Sequence, residues 1–218
     1  MLTLAPTSTN RTILNHISWH TFESILMEIG NHRNTRLTYD EGRLKIITPL
    51  MPHEHNERLI EKLIDALSEE LNLNLNSIGS LTCKRQDLEK GVEPDASFYI
   101  ENEAIMRNKQ ILDLTLDLTL DLTQDPPPDL VIEVDYTSSS IDKLPIYLAL
   151  GVPEVWRYDY PVMQIYHLSD GIYLLYNDSS TFANLPLNTE ILRFLAQSWE
   201  IGETPMIRSF HSWIKSQI

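Results

Sequence analysis

The chain has 218 residues, 31 acidic against 17 basic side chains, a formal net charge of −14 at pH 7, and one cysteine, Cys83. That length suffices for one domain, expected over 1–218, with a core that needs no staples, and a lone cysteine excludes an intrachain disulfide and Cys-based structural zinc. The acidic balance argues against a protein that clamps nucleic-acid phosphates nonspecifically, and no apolar run approaches a membrane span, so a reducing cytoplasm is the expected setting.

In chain order, Ser18 precedes a segment in which Phe22, Ile25, Leu26 and Ile29 share one helical face, with Gly30 just past its end. Segments 36–39 and 43–47 flank Asp40-Glu41-Gly42, which predicts a β-hairpin. From Pro52 onward, Leu59, Ile60, Leu63, Ile64, Leu67 and Leu71 form an apolar stripe with Glu57, Glu61, Asp65 and Glu69 outside it, the signature of a long amphipathic helix.

Three strands are expected next, at 76–83, 95–100 and 130–135, followed by a helix over 140–150, which Ser138 to Ser140 would cap, and a strand at 155–159. Helix, three strands, helix, strand describes an α/β fold with a mixed central sheet, preceded by the N-terminal helix and hairpin. A second hairpin is predicted from 162–167 and 172–176 around Ser169-Asp170-Gly171, and helices over 187–199 and 203–214. These C-terminal elements read as peripheral.

The segment 112–125 carries the repeat Asp-Leu-Thr-Leu. A four-residue period is too short for a stacking repeat. Alternate leucines suit an extended edge strand, aspartates four apart would also fit a helix, and a tolerated surface insertion is the favoured reading. Pro126 to Pro128 then end any strand pairing.

Chemistry concentrates in Pro94-Asp95 and in Asp129-Leu130-Val131-Ile132-Glu133-Val134-Asp135. An ionised carboxylate among Val131, Ile132 and Val134 implies a cation or strong partner, because burying it alone costs several kcal/mol. Strand alternation makes Val131, Glu133 and Asp135 cofacial, and likewise Asp95, Ser97 and Tyr99. If the strands are neighbours, Asp95 and Glu133 offer the hard oxygen ligands that Mg²⁺ or Mn²⁺ prefers. A turn-capping or salt-bridged role for Asp95 is the competing reading. Lys143 and Tyr147, four apart, should share a helix face, although an ordinary solvated lysine is common. His53 and His55 lack the further ligands of a zinc site.

Together, His53-Glu54-His55, Pro94-Asp95, the run from Pro127 to Val134, and Lys143, Tyr147 and Gly151-Val152-Pro153-Glu154-Val155-Trp156 resemble the Uma-two family of bacterial restriction endonucleases, a branch of the PD-(D/E)XK nuclease superfamily. The resemblance spans about residues 16–215. It implies a restriction-endonuclease-like core, a Mg²⁺- or Mn²⁺-dependent endonuclease with DNA as substrate, and the option of a homodimer. It further implies Asp95 and Glu133 as metal-binding carboxylates, Glu54 as the helix acid that completes the site, and Lys143 as a catalytic lysine moved from strand to helix. In the superfamily's pattern a lysine stands two residues after the acid; here that position is Asp135. With the net charge, this motivates a second expectation, a catalytically silent nuclease fold that binds DNA or protein.

Overall fold

The computed structural model describes residues 11–30, 35–48, 51–112, 119–135, 142–182 and 185–218. After strand β1 (Arg11–Leu14), Ser18 accepts the Thr21 N–H at 3.2 Å and opens helix α1 (Trp19–Ile29). Strands β2 (Arg36–Asp40) and β3 (Arg43–Ile47) form the expected hairpin, its turn made by Glu41 and Gly42 at φ 44° and 87°. Both sit in the left-handed region that a two-residue hairpin turn demands. Helix α2 (Met51–Glu70) follows and buries Leu59, Ile60, Leu63, Ile64 and Leu67. Glu57, expected outside that stripe, is buried and lies 3.9 Å from Arg36.

The remaining elements are β4 (Asn76–Ser77), β5 (Thr82–Arg85), β6 (Lys90–Val92), β7 (Ala96–Tyr99), α3 (Glu103–Leu112), β8 (Thr119–Asp121), β9 (Leu130–Asp135), α4 (Leu144–Leu150), β10 (Glu154–Asp159), β11 (Val162–Ser169), β12 (Ile172–Tyr176), α5 (Leu187–Ile201) and α6 (Glu203–Gln217). They build two six-stranded sheets, β1-β3-β2-β6-β5-β8 and β12-β11-β10-β9-β7-β4. The second is mixed: β9 runs parallel to β10 and antiparallel to β7. The sequence of α2, strands ending in β9, α4 and β10 is the anticipated α/β core.

Two expectations need correction. The strand anticipated at 76–83 divides between the sheets, because Gly79 takes φ 62° and its carbonyl accepts the Ser97 hydroxyl at 2.6 Å. Asn76–Ser77 thus pairs with β7, and Thr82–Arg85 joins the other sheet. Nor are the C-terminal elements peripheral. β11 pairs with β10, and Phe194, Met206, Phe210 and Ile214 of α5 and α6 enter the core that covers the α2 stripe. A helix with an apolar face that wide needs helical neighbours as well as a sheet.

Within 112–125, Leu120 and Leu122 are buried, Asp121 is exposed, and β8 runs parallel to β5 at the first sheet's edge. The earlier repeats at 113–118, the serines at 138–140 and the His53 side chain lie outside the described residues.

One face of the second sheet, with Ala96, Phe98, Leu130, Ile132 and Val134, meets α2, α5 and α6. On its other face Val131, Tyr99 and Val155 pack with Ile146, Tyr147 and Leu150 of α4 and with Cys83 and Val92 of the first sheet. The outer face of the first sheet meets α1, where Phe22 stacks on Tyr39 at 4.8 Å between centroids. Helix α4 therefore lies against both sheets, with Ile146, Tyr147 and Leu150 turned inward.

This packing leaves no room above β6: a Cβ on Gly91 would lie 2.7 Å from Phe22 Cζ. Overpacking of that kind costs about 1–3 kcal/mol, more than the entropy gained by removing a glycine. Urea unfolding of Gly91→Ala should show that loss, and Phe22→Leu in the same chain should return part of it.

Candidate active site

The β7–β9 ladder pairs Ala96 with Ile132 and Ser97 with Val131. One step further along, Asp95 and Glu133 face the same side, each 4% exposed. The Asp95 N–H reaches the Ile132 carbonyl at 3.2 Å, and its carboxylate accepts the Val134 N–H at 2.8 Å. The side chain thus extends the ladder beyond the last paired residues.

Glu133 has two partners. Lys143, just ahead of α4, donates from Nζ to Oε2 at 2.6 Å and to the Glu93 carbonyl at 3.2 Å. Tyr147, one turn later, donates its hydroxyl to Oε1. Four-residue spacing puts both donors on one face of a short helix, whose amide at Tyr147 bonds the Lys143 carbonyl at 2.9 Å. Lys143 is therefore no solvated surface lysine.

Burial pushes the Glu133 carboxyl up to about 7, with Asp95 and Asp135 adding to the effect and Lys143 opposing it. For Lys143, burial pulls its affinity for protons down, but the charges of Glu133 and Asp95 outweigh it and the net shift is upward. Tyr147 is raised too, by burial first and Glu133 second, so its hydroxyl remains a donor. The arrangement is a buried carboxylate held by two groups that keep their protons at neutral pH.

Asp135 is answered by Arg157, whose Nε lies 3.3 Å from Oδ2, while Nη1 lies 3.8 Å from Asp142 Oδ1. Parallel pairing sets Arg157 directly beside Glu133. A cleft of about 10 Å³, room for one water molecule, is bounded by Glu133, Asp135, Lys143, Tyr147 and Arg157 among others. Lys45 comes from the other sheet. It pairs with Thr38, Thr38 with Val92, and Val92 with Cys83, so it shares the face that meets Tyr147. It is 3% exposed, and burial and Lys143 lower its pKa against the pull of Asp135 and Glu133.

Sequence reasoning missed Arg157 and Lys45. Arg157, a charge between Trp156 and Tyr158 in an apolar strand, carries the same signal that singled out Glu133. Lys45 carries none, since a lysine alternating with Leu44 and Ile46 reads as the solvated face of a hairpin.

Glu54 is not brought to this site. It is exposed on α2, in a separate groove with His55, Arg58, Lys62 and Glu203, where Lys62 pairs with Glu203 at 2.6 Å. Helix α2 packs on the face of the second sheet opposite to Glu133, which removes Glu54 from the anticipated trio. Among the described residues no three His, Cys, Asp or Glu side chains gather as a metal cage. Asp95 and Glu133 do supply a pair of hard oxygen donors, a set that fits Mg²⁺, which retains several waters. Other acids of the motifs hold the scaffold together. Asp129 accepts the N–H groups of Ile100 and Asn102 at 2.7 and 3.1 Å, and Glu154 holds Trp156 Nε1 at 2.5 Å and the Ser180 amide at 3.0 Å.

Known proteins resemble this chain in sequence and in fold. The model of the Uma2 family, described as "Putative restriction endonuclease", matches residues 19–196. A solved structure from Anabaena variabilis, titled a "putative nuclease belonging to DUF820", superposes with a TM-score of 0.53 at 17% identity, covering 81% of this chain and 97% of that one. At that identity the likeness shows the fold, restriction-endonuclease-like. No curated protein matches the chain. Among the described residues no helix is long and apolar enough to cross a membrane.

The ion pair makes a stability prediction. Removing one partner of a buried pair costs about 3–5 kcal/mol, whereas replacing both is far milder. Lys143→Met should therefore be less stable in urea than Lys143→Met/Glu133→Gln. Glu133's pKa in the folded state lies above its reference value of 4.5, so its contribution is present below pH 4.5 and lost as pH rises through about 7. The deficit of Lys143→Met should accordingly be small at pH 5 and grow towards pH 8.

Proposed function

The chain belongs to the Uma2 family, and from that premise we propose that it is a divalent-metal-dependent DNA endonuclease, hydrolysing phosphodiester bonds at the site built on Glu133. The observation that carries this reading is the convergence of Asp95, Lys143 and Tyr147 on one buried carboxylate beside a water-sized cleft.

Asp95 and Glu133 would hold Mg²⁺ or Mn²⁺. Such an ion, when bound, lowers the pKa of coordinated water and offsets charge on the transferring phosphoryl group. The chain's own groups do the rest. Tyr147 pins Oε1 of Glu133 and so fixes the carboxylate plane. Lys143 brings a positive charge to 2.6 Å from Oε2, where it orients the attacking water and screens the phosphorane. The Asp95 carboxylate, tied to the Val134 amide, keeps its place relative to Glu133 without depending on a flexible loop.

A second reading, a silent fold that binds DNA or protein without cutting, is favoured by one observation: both Glu133 oxygens are already engaged by protein donors. A divalent ion must then compete with an ammonium for the same carboxylate. Titration calorimetry separates the readings, since micromolar Mn²⁺ binding that disappears in Glu133→Gln supports the nuclease, and its absence in the wild type supports the silent fold. In plasmid cleavage with Mg²⁺ or Mn²⁺, Asp95→Asn and Glu133→Gln are each expected to lose at least about 100-fold in rate. Cleavage that survives both substitutions would reject the assignment.

A further inference from the structure

Arg157 has no part so far beyond offsetting Asp135, yet its surroundings ask for more. Among the described residues its guanidinium makes ion-pair contacts, Nε with Asp135 Oδ2 at 3.3 Å and Nη1 with Asp142 Oδ1 at 3.8 Å, and the buried Nε is not aligned on Asp135 for a hydrogen bond. A guanidinium carries five donors and stays charged at any working pH, and here only the Nε hydrogen is sealed off, so the terminal amino groups, on a side chain that lines the cleft, remain free to donate to a ligand. Its neighbours in sequence, Trp156 and Tyr158, anchor the strand in the core, and its partner in register is Glu133. The head group is thus held rigidly beside the proposed reacting centre, while the side chain stays 21% exposed.

We propose that Arg157 is a catalytic residue that hydrogen-bonds a non-bridging oxygen of the scissile phosphodiester, with Asp135 and Asp142 serving to orient it. The ligand class is a phosphodiester anion, the planar donor fork of Arg being matched to phosphate oxygens. This rests on the nuclease reading for the identity of the substrate but not for the existence of the anion site. It also gives Asp135 a role: the acid aims an arginine instead of repelling the phosphate.

The test is binding of a 20-base-pair DNA duplex in Ca²⁺ at fixed salt, with cleavage in Mg²⁺ measured alongside, for the wild type, Arg157→Gln, Arg157→Lys and Asp135→Asn/Arg157→Gln. Loss of one charge-assisted contact should weaken duplex binding about tenfold or more in Arg157→Gln. Arg157→Lys, which keeps the charge but not the fork, should recover part of it. A residue that merely neutralises Asp135 would be dispensable once Asp135 is also neutral, so the double variant should bind as weakly as Arg157→Gln. Full recovery in the double variant, affinity of Arg157→Gln within twofold of the wild type, or no binding by the wild type would each overturn the proposal. Arg157-dependent binding without cleavage keeps the anion site and removes the nuclease reading. Cleavage by Arg157→Gln at the wild-type rate does the reverse.

Discussion

The interaction on which this structure turns is the burial of Glu133 inside a strand covered on both faces. Strand β9 has a helix layer on one side and α4 with the first sheet on the other, so its side chains would be apolar throughout if packing alone chose them. A carboxylate in that position is tolerated only because Lys143 and Tyr147 reach it, and they reach it only because α4 lies against both sheets. The requirement to satisfy one charge therefore constrains the placement of an entire helix. It is a costly arrangement, and a well-packed leucine in its place would serve stability at least as well. Its cost points to chemistry as the reason for its presence.

Glu93 ties the first sheet to this centre through hydrogen bonds. It accepts the Leu37 N–H and the Thr82 hydroxyl, each at 2.7 Å, and its carbonyl accepts Lys143 at 3.2 Å. Pro94 and Asp95 follow immediately, so a buried carboxylate that locks β2 to β5 also sets the chain's entry into β7. The N-terminal hairpin is consequently part of the site's support, and Lys45 arrives on the same row of side chains. That β-rich layer thus brings a buried cation, Lys45, towards the acids of the second sheet.

Much of the fold was legible in the sequence, and the residues show why. The stripe from Leu59 to Leu67, the cap at Ser18 and the turn at Glu41-Gly42 are local signals, and local signals decide local structure. Cofacial Asp95 and Glu133 followed from strand alternation once β7 and β9 became neighbours. What was not legible depends on contacts between distant segments. The split at Gly79 into two sheets, the depth of Lys45 and the entry of Phe210 into the core have no signature within a ten-residue window. Glu54 failed for a related reason: its position along the chain matched a pattern, but the side of the sheet on which its helix packs is a tertiary fact.

The overall charge of −14 and a proposed phosphodiester substrate can be reconciled by looking at where charge is balanced. Within the site Asp95, Glu133, Asp135 and Asp142 stand against Lys143, Lys45 and Arg157, so the acids exceed the bases by a single charge before any ion enters. A divalent cation would then leave it positive, and the favourable field for an anion would exist only in the loaded protein. Many of the remaining acids lie on exposed surfaces, such as Glu28, Glu69, Asp87 and Glu200, where salt screens them beyond about 8–10 Å. A protein of this kind would hold DNA weakly without metal and lack the broad basic track of a nonspecific binder. Selectivity for the reacting phosphate would come from a few buried charges fixed by strand register, with long-range attraction contributing little.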